Sequence, residues 1–138
     1  MNPFHRAPAL ALAVLLLLAA PLAAAGPGAV RAVTGPDGVQ RAEVEAGSYY
    51  FKPVHIIVKA GVPAQLTLRE TSWLIPHNFV IDSPEAGMEV SVKLTRKTQT
   101  VRFVPGKPGK YPFYCDNKLL FLKSHRDKGM EGTIEVVE

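Results

Sequence analysis

Apolar and polar residues alternate in short runs along most of the chain, which is the pattern of β-strands that bury one face. Eight such runs, separated by Gly and Pro, cover residues 39–46, 54–58, 64–69, 77–82, 88–94, 98–104, 110–115 and 132–137. Short strands at roughly 8–12-residue spacing are typical of a β-sandwich or barrel. We therefore predict an all-β domain, in which only residues 116–126 leave room for a helical turn.

The first 25 residues follow a different pattern and are predicted to be a signal peptide. A short basic start is followed by an unbroken apolar run over residues 11–20, by Pro21 and by small residues up to Ala25. This order is typical of a secretory signal that is cleaved before Gly26. The alternative is an uncleaved membrane anchor, which Pro21 and the lack of a following basic cluster disfavour. We expect a periplasmic or secreted protein.

The chain that remains after cleavage is long enough for one domain. Residues 26–38 are rich in Gly, Ala and Pro and predict a flexible leader, and residues 39–138 form the predicted domain. Loss of Arg6 with the signal lowers the formal net charge from +4 to +3. So small an excess, without a basic stripe interleaved with aromatic residues, gives no reason to expect nucleic-acid binding.

Cys115 is the only cysteine of the chain. In an oxidising compartment a single thiol cannot close an internal disulfide, so its presence needs another explanation. Intermolecular pairing, a buried inert thiol and a metal ligand are the three candidates.

The mature chain contains five other residues that bind soft or borderline metal ions, namely His55, His77, His125, Met88 and Met130. Two His, one Cys and a weak axial Met are the ligands of blue copper sites. Cys115, His125 and Met130 come from one stretch near the C-terminus, and His77 begins an earlier strand. The inventory is therefore sufficient for one mononuclear copper site.

Two sets of motifs resemble the cupredoxin family, the blue copper proteins of the plastocyanin and azurin type. The first half of the chain has Y-F-x-P at residues 50–53, I-x-V at 56–58 and P-H-N-F at 76–79. The second half has G-x-Y-x-F-Y-C at 109–115, then His125, then G-M-E-G-T-I at 129–134. The resemblance covers residues 44–138, nearly all of the mature chain.

The resemblance implies a cupredoxin-like Greek-key β-sandwich of about seven or eight strands. It also implies one copper ion, held by His77, Cys115, His125 and Met130. Such proteins carry electrons by outer-sphere transfer between Cu(I) and Cu(II). We therefore expect a redox protein partner such as a cytochrome or an oxidase, and no stable membrane insertion once the signal is cleaved. An enzyme is not expected, since no Ser/His/Asp set, paired-carboxylate motif or phosphate loop is present.

The chain departs from the family pattern in two places. Nine residues separate Cys115 from His125, where mononuclear members have only a few. A helical turn anchored by Leu119, Leu120 and Phe121 would let this long loop close on one metal ion. The alternatives are that the loop opens the site, changes its spectrum or seats a different axial group.

The second departure lies at residues 70 and 71, Glu-Thr, where relatives commonly have an Asn that joins the two ligand loops. Glu70 is either a hydrogen-bond partner of a ligand or an oxygen ligand itself, as in the red-copper nitrosocyanins.

Several residues have a structural interpretation instead of a functional one. We place His55 and Met88 outside the site, and assign Trp73, Phe79 and Phe113 to the core. Four cations surround the predicted site, Lys118, Lys123, Arg126 and Lys128, and they form either a solvated loop or a rim that steers an acidic partner.

Two other functions stay open beside electron transfer. One is a periplasmic copper carrier or storage protein, which would have a more open site. The other is a structural module without metal, for which the four ligand matches would be coincidental. Zinc is also compatible with His and thiolate ligands, although the order of affinities favours copper.

Overall fold

The computed structural model of the protein describes residues 28–72 and 74–138, so the predicted signal peptide and Trp73 lie outside the described residues. Eleven strands form two sheets, and the only other regular elements are two single 3₁₀ turns, Pro84–Ala86 and Arg126–Lys128, within that part of the chain. The strands are β1 (Ala29–Arg31), β2 (Val33–Thr34), β3 (Gln40–Gly47), β4 (Tyr50–Lys52), β5 (His55–Lys59), β6 (Ala64–Glu70), β7 (Asn78–Ser83), β8 (Met88–Lys93), β9 (Gln99–Phe103), β10 (Gly109–Tyr114) and β11 (Glu131–Val137). No helix of the described residues is long and apolar enough to span a bilayer.

The two sheets confirm the predicted all-β sandwich. The first has the strand order β1-β5-β11-β10-β7-β8, and the second has the order β2-β3-β6-β9, with β4 paired to β3. Both sheets are mixed: three pairs are parallel (β1 with β5, β5 with β11, β3 with β6) and the others are antiparallel. Parallel neighbours require connections that cross over instead of tight hairpins. All strands that the structure describes lie within residues 29–137.

All eight strands predicted from alternation are present, with ends shifted by at most one residue. Three short strands, β1, β2 and β4, were not predicted. Two of them lie in residues 26–38, the segment predicted as a flexible leader. There β1 pairs in parallel with β5, and β2 pairs with β3. Strands of two or three residues have no measurable alternation, and pairing with a formed sheet edge decides their conformation.

The core lies between the two sheets and centres on three aromatic rings. The centroids of Phe51, Phe79 and Phe113 are 5.2–5.6 Å apart. Phe79 and Phe113 are fully buried, as predicted, and so is Met88, which belongs to the same apolar cluster. Because Phe79 belongs to β7 and Phe113 to β10, this packing fixes both strands within the core.

We expect Gly132→Ala to destabilise the sandwich because Phe113 lies directly across from it on β10. A Cβ at residue 132 would collide with the Phe113 ring and lie 2.7 Å from the carbonyl oxygen of Val54. Overpacking of this kind costs about 1–3 kcal/mol. Gly106→Ala is the matched control, since its Cβ would lie 3.7 Å from the nearest atom, the oxygen of Ala86. Urea unfolding of the metal-free variants measures both changes, and equal midpoints would contradict the packing argument.

Candidate metal centre

Two of the predicted ligands lie side by side because β7 and β10 are antiparallel neighbours. His77 immediately precedes β7, and Cys115 immediately follows β10. Val80 of β7 pairs with Tyr114 of β10, so the two ligand positions meet at the same end of the sheet. Both side chains are completely buried.

The other two predicted ligands are placed by the turn that leads into β11. His125 precedes the 3₁₀ turn, and the amide of Met130 donates to the His125 carbonyl at 3.0 Å. The Cys115 amide then donates to the Met130 carbonyl at 3.1 Å, which continues the β10–β11 ladder by one residue. Met130 is fully buried and His125 is 5% exposed. The structure thus brings His77, Cys115 and His125 into one cluster. The backbone of Met130 is hydrogen-bonded to the backbones of both Cys115 and His125.

Three donor atoms converge in this cluster. The Nδ1 atoms of His77 and His125 are 3.0 Å apart, and the Cys115 Sγ lies 3.8 Å from the first and 3.4 Å from the second. In a trigonal plane with bonds of about 2.0 Å to nitrogen and 2.3 Å to sulfur, the donors would be roughly 3.5–3.7 Å apart. The observed spacings are close to these values, so the three side chains are positioned to bind one copper ion.

Burial raises the pKa of the Cys115 thiol above its ordinary value. Backbone amides of Asn78 and Asn117 oppose the rise, and the Asn78 nitrogen lies 3.4 Å from Sγ. The negative charges of Asp116 and Glu70 add to it. The metal-free site therefore holds a protonated thiol, and a metal ion must displace that proton in order to bind.

Both imidazoles are held neutral, which is the protonation state that binds metal. Burial, together with the nearby His125, lowers the pKa of His77 to about 4. Burial also lowers the pKa of His125, with a further contribution from the positive charge of Lys128.

Side-chain hydrogen bonds join the two ligand loops. The Asn78 side chain donates to the Asp116 carboxylate and accepts from the Asp116 amide at 3.0 Å. The Asn117 side chain donates to the Pro76 carbonyl at 2.8 Å. These contacts supply the connection for which the resemblance leads one to expect an Asn at residue 70 or 71. Thr71 instead donates to the Ala46 carbonyl on β3.

Glu70 lies outside the cluster of converging donors. One of its carboxylate oxygens accepts from the Ser72 amide at 2.7 Å, and the other is buried without a hydrogen-bond partner among the described residues. Burial raises its pKa. The charge of Glu70 contributes to the raised pKa of Cys115, but the carboxylate is not a fourth member of the donor cluster.

The long Cys–His loop is closed by polar contacts, and the predicted anchoring by its leucines is wrong. Leu119, Leu120 and Phe121 are 63%, 79% and 100% exposed. The amide of His125 donates to the carbonyl of Asn117 at 2.8 Å, so the intervening residues leave the site and return to it at one point. Because this hydrogen bond closes the base of the loop, its tip does not need to pack against the domain.

Tyr49 is a site neighbour that the sequence did not indicate. Its ring packs edge-on against both imidazoles, with centroid distances of 6.2 Å to His77 and 4.9 Å to His125. The Lys128 ammonium lies 4.1 Å from the ring centroid on the outer side. Tyr49 has a left-handed backbone (φ 67°), a conformation that no local pattern predicts for a Tyr. It covers the two imidazoles from the solvent side.

The remaining candidates lie apart from the donor cluster. His55 is on β5, where its Nε2 contacts the Glu135 carboxylate at 2.7 Å. Arg126 lies over the Tyr114 ring at 4.1 Å and contacts the Glu131 carboxylate at 2.9 Å. Of the four predicted rim cations, Arg126 and Lys128 are therefore engaged by aromatic or acidic neighbours.

This β-sandwich, with buried His, Cys and His donors at one end, defines the chain as a member of the cupredoxin class. The family model described as "cupredoxin-like domain" matches residues 8–134, and the chain belongs to that family. Among curated protein sequences, none matches the chain.

Solved structures share the fold at low identity. The metal-binding domain of the Cu(I)-exporting P-type ATPase CopA from Streptococcus pneumoniae, solved with Cu(I), is 22% identical with a TM-score of 0.61, covering 80% of this chain and 96% of that domain. Dithionite-reduced auracyanin from Roseiflexus castenholzii is 21% identical with a TM-score of 0.58, covering 78% and 99% respectively. A copper-binding protein solved by NMR in its apo form is 21% identical, with a TM-score of 0.57 and coverages of 78% and 95%.

We expect the metal-free protein to lose stability as the pH falls from about 7 to 4. His77 has a lower pKa when folded (about 4) than its ordinary value of 6.5. The unfolded chain therefore binds more protons in this window, and acid favours unfolding by about 1.4 kcal/mol per pKa unit of difference. Urea midpoints across the window measure the loss. His77→Gln should flatten the slope, and an unchanged slope in that variant would contradict the assignment.

Proposed function

We propose that the protein is an exported carrier of single electrons with one copper ion at the His77, Cys115 and His125 cluster. The observation that carries this proposal is the convergence of two imidazole nitrogens and one thiol sulfur within 3.0–3.8 Å in a buried site. A bound copper ion would supply the one-electron chemistry, between Cu(I) and Cu(II).

The chain contributes rigidity and the exclusion of water. His77 and Cys115 are fixed by paired strands and Met130 by the ladder, and all three are fully buried. Donors that cannot rearrange hold the same geometry in both oxidation states. Met130 would be a weak fourth donor through its thioether, the axial role that the resemblance implies for it.

His125 is the proposed exit for the electron. It lines an open groove of about 570 Å³ together with Tyr49 and Pro76, whereas His77 and Cys115 do not line that groove. A redox partner docked there would contact the edge of only one ligand. We propose a cytochrome or an oxidase as partner, met in the periplasm or outside the cell.

The closed site favours electron transfer over copper carriage. A carrier must take up and release its ion, for which an open site is expected. Here the most exposed predicted ligand, His125, is only 5% exposed, and Tyr49 packs against it. The sequence contains no Ser/His/Asp set, paired-carboxylate motif or phosphate loop, so we propose no enzymatic activity.

We expect the protein with one equivalent of Cu(II) to show an intense visible band and an EPR signal. The band arises from charge transfer between thiolate and copper, so Cys115→Ala should abolish it. His55→Ala is the matched control, because it removes a histidine outside the donor cluster and should leave the spectrum intact. If the wild type holds copper without colour or an EPR signal, the electron-carrier proposal fails and copper carriage replaces it.

The axial assignment predicts different effects for Met130→Leu and Glu70→Gln. Loss of a weak donor destabilises Cu(II) more than Cu(I), so Met130→Leu should raise the reduction potential and shift the visible band. Glu70→Gln should leave the band position unchanged, because Glu70 lies outside the donor cluster. Spectra and redox titrations of both variants decide the matter. A band that moves with Glu70→Gln and not with Met130→Leu would identify an oxygen-ligated site.

A further inference from the structure

The tip of the Cys–His loop exposes four consecutive large apolar side chains. Leu119, Leu120, Phe121 and Leu122 are 63%, 79%, 100% and 54% exposed. Single exposed apolar residues are common, but a contiguous group of this size on a protein surface marks an interaction site. Packing within the described domain does not explain these residues.

The backbone of the tip is as unusual as its side chains. The Leu122 amide donates to the Leu119 carbonyl at 2.9 Å and closes a four-residue turn. Leu120, the first residue of the apex, has a left-handed backbone (φ 48°). Turns with this conformation favour Gly, Asn or Asp at the apex. Leu120 is unfavourable there in conformation, and the exposure of both Leu120 and Phe121 is unfavourable for hydration. A binding partner outside the domain is the reason we assign to them.

Two lysines flank the turn. Lys118 and Lys123 are exposed, and neither lies within ion-pair distance of a carboxylate in residues 28–72 or 74–138. Asp116, the acid nearest Lys118 in sequence, accepts from the Asn78 side chain. Asp127, the acid nearest Lys123, accepts from the amide and hydroxyl of Ser124 and is attracted by both lysines from beyond ion-pair distance. The apolar apex is therefore bracketed by two cations without ion-pair partners.

This arrangement matches the interface of an anionic membrane. Apolar side chains at an apex reach the acyl boundary, while ammonium groups at the base of the turn lie at the level of the lipid phosphates. Four consecutive residues at a tight turn are far fewer than the roughly 20–30 residues that each partner contributes to a protein interface of standard size. We propose that residues 118–123 dock the protein reversibly on an anionic lipid surface by inserting the side chains of residues 119–122.

Docking by this tip would also orient the metal centre. Leu119 and Leu122 line the same groove as His125. A tip inserted in lipid would hold that groove beside the membrane, where a membrane-bound redox partner is found. This consequence rests on the proposed function, whereas lipid binding itself does not require copper.

Vesicle flotation tests the proposal with the chain from Gly26 onward, which contains both sheets and lacks the apolar N-terminal run. We expect binding to vesicles of 70% phosphatidylcholine and 30% phosphatidylglycerol, and weaker binding to phosphatidylcholine alone. Replacing both apex residues, Leu120→Ser with Phe121→Ser, should lower the bound fraction at least tenfold. Replacing both lysines, Lys118→Gln with Lys123→Gln, should lower it severalfold and remove the preference for anionic vesicles.

The matched control replaces two exposed apolar residues elsewhere, Val33→Ser with Val54→Ser, which are 73% and 55% exposed. It should bind vesicles as the wild type does. Far-UV circular dichroism and the urea midpoint verify folding of every variant without reference to copper, so failure here is distinguishable from failure of the proposed function.

Two results would overturn the proposal. In the first, the wild type binds neither kind of vesicle; if the apex variant then slows electron transfer to a soluble redox protein, the tip is assigned to a protein partner. In the second, the apex variant binds as well as the wild type, which would leave only electrostatic attraction by the lysines.

Discussion

The site depends on β10 lying between β7 and β11. Tyr114, the last residue of β10, pairs with Val80 on one side and with Glu131 on the other. This register brings Cys115 next to both His77 and Met130, so backbone hydrogen bonds set the separation of the ligands before any metal arrives. A slip of one residue would turn every side chain of β10 to the opposite face and separate the thiol from its neighbours.

The second constraint is the hydrogen bond between the amide of His125 and the carbonyl of Asn117. It makes the long loop equivalent, at the site, to a short one, since the chain leaves at Asn117 and returns beside it. The seven residues between do not have to position a ligand of the metal centre. Their sequence can therefore serve another purpose, and we infer that the exposed apolar apex serves the lipid binding proposed above.

Residue pattern predicted most of this fold and the members of its donor cluster. Eight strands were recognisable because alternation has a fixed period, and the ligand residues because Cys115 and His125 stand in motifs with few alternatives. What escaped prediction depends on tertiary contacts. The strands β1 and β2 form only because β5 and β3 offer open edges, and the left-handed backbones of Tyr49 and Leu120 follow no local rule. The leucines of the loop were misplaced because hydrophobicity alone was taken to imply burial.

The electrostatics of the cluster explain how a buried metal centre can be stable both empty and filled. In the metal-free protein the raised pKa of Cys115 and the lowered pKa of His77 keep the donors uncharged, so the core holds no isolated ion. When a metal ion replaces the thiol proton, the thiolate cancels one unit of its charge. The buried site would then carry a formal charge of only 0 with Cu(I) or +1 with Cu(II). Two neutral imidazoles and one thiol achieve this, whereas an ionised carboxylate inside the cluster would bury a negative charge in the metal-free state.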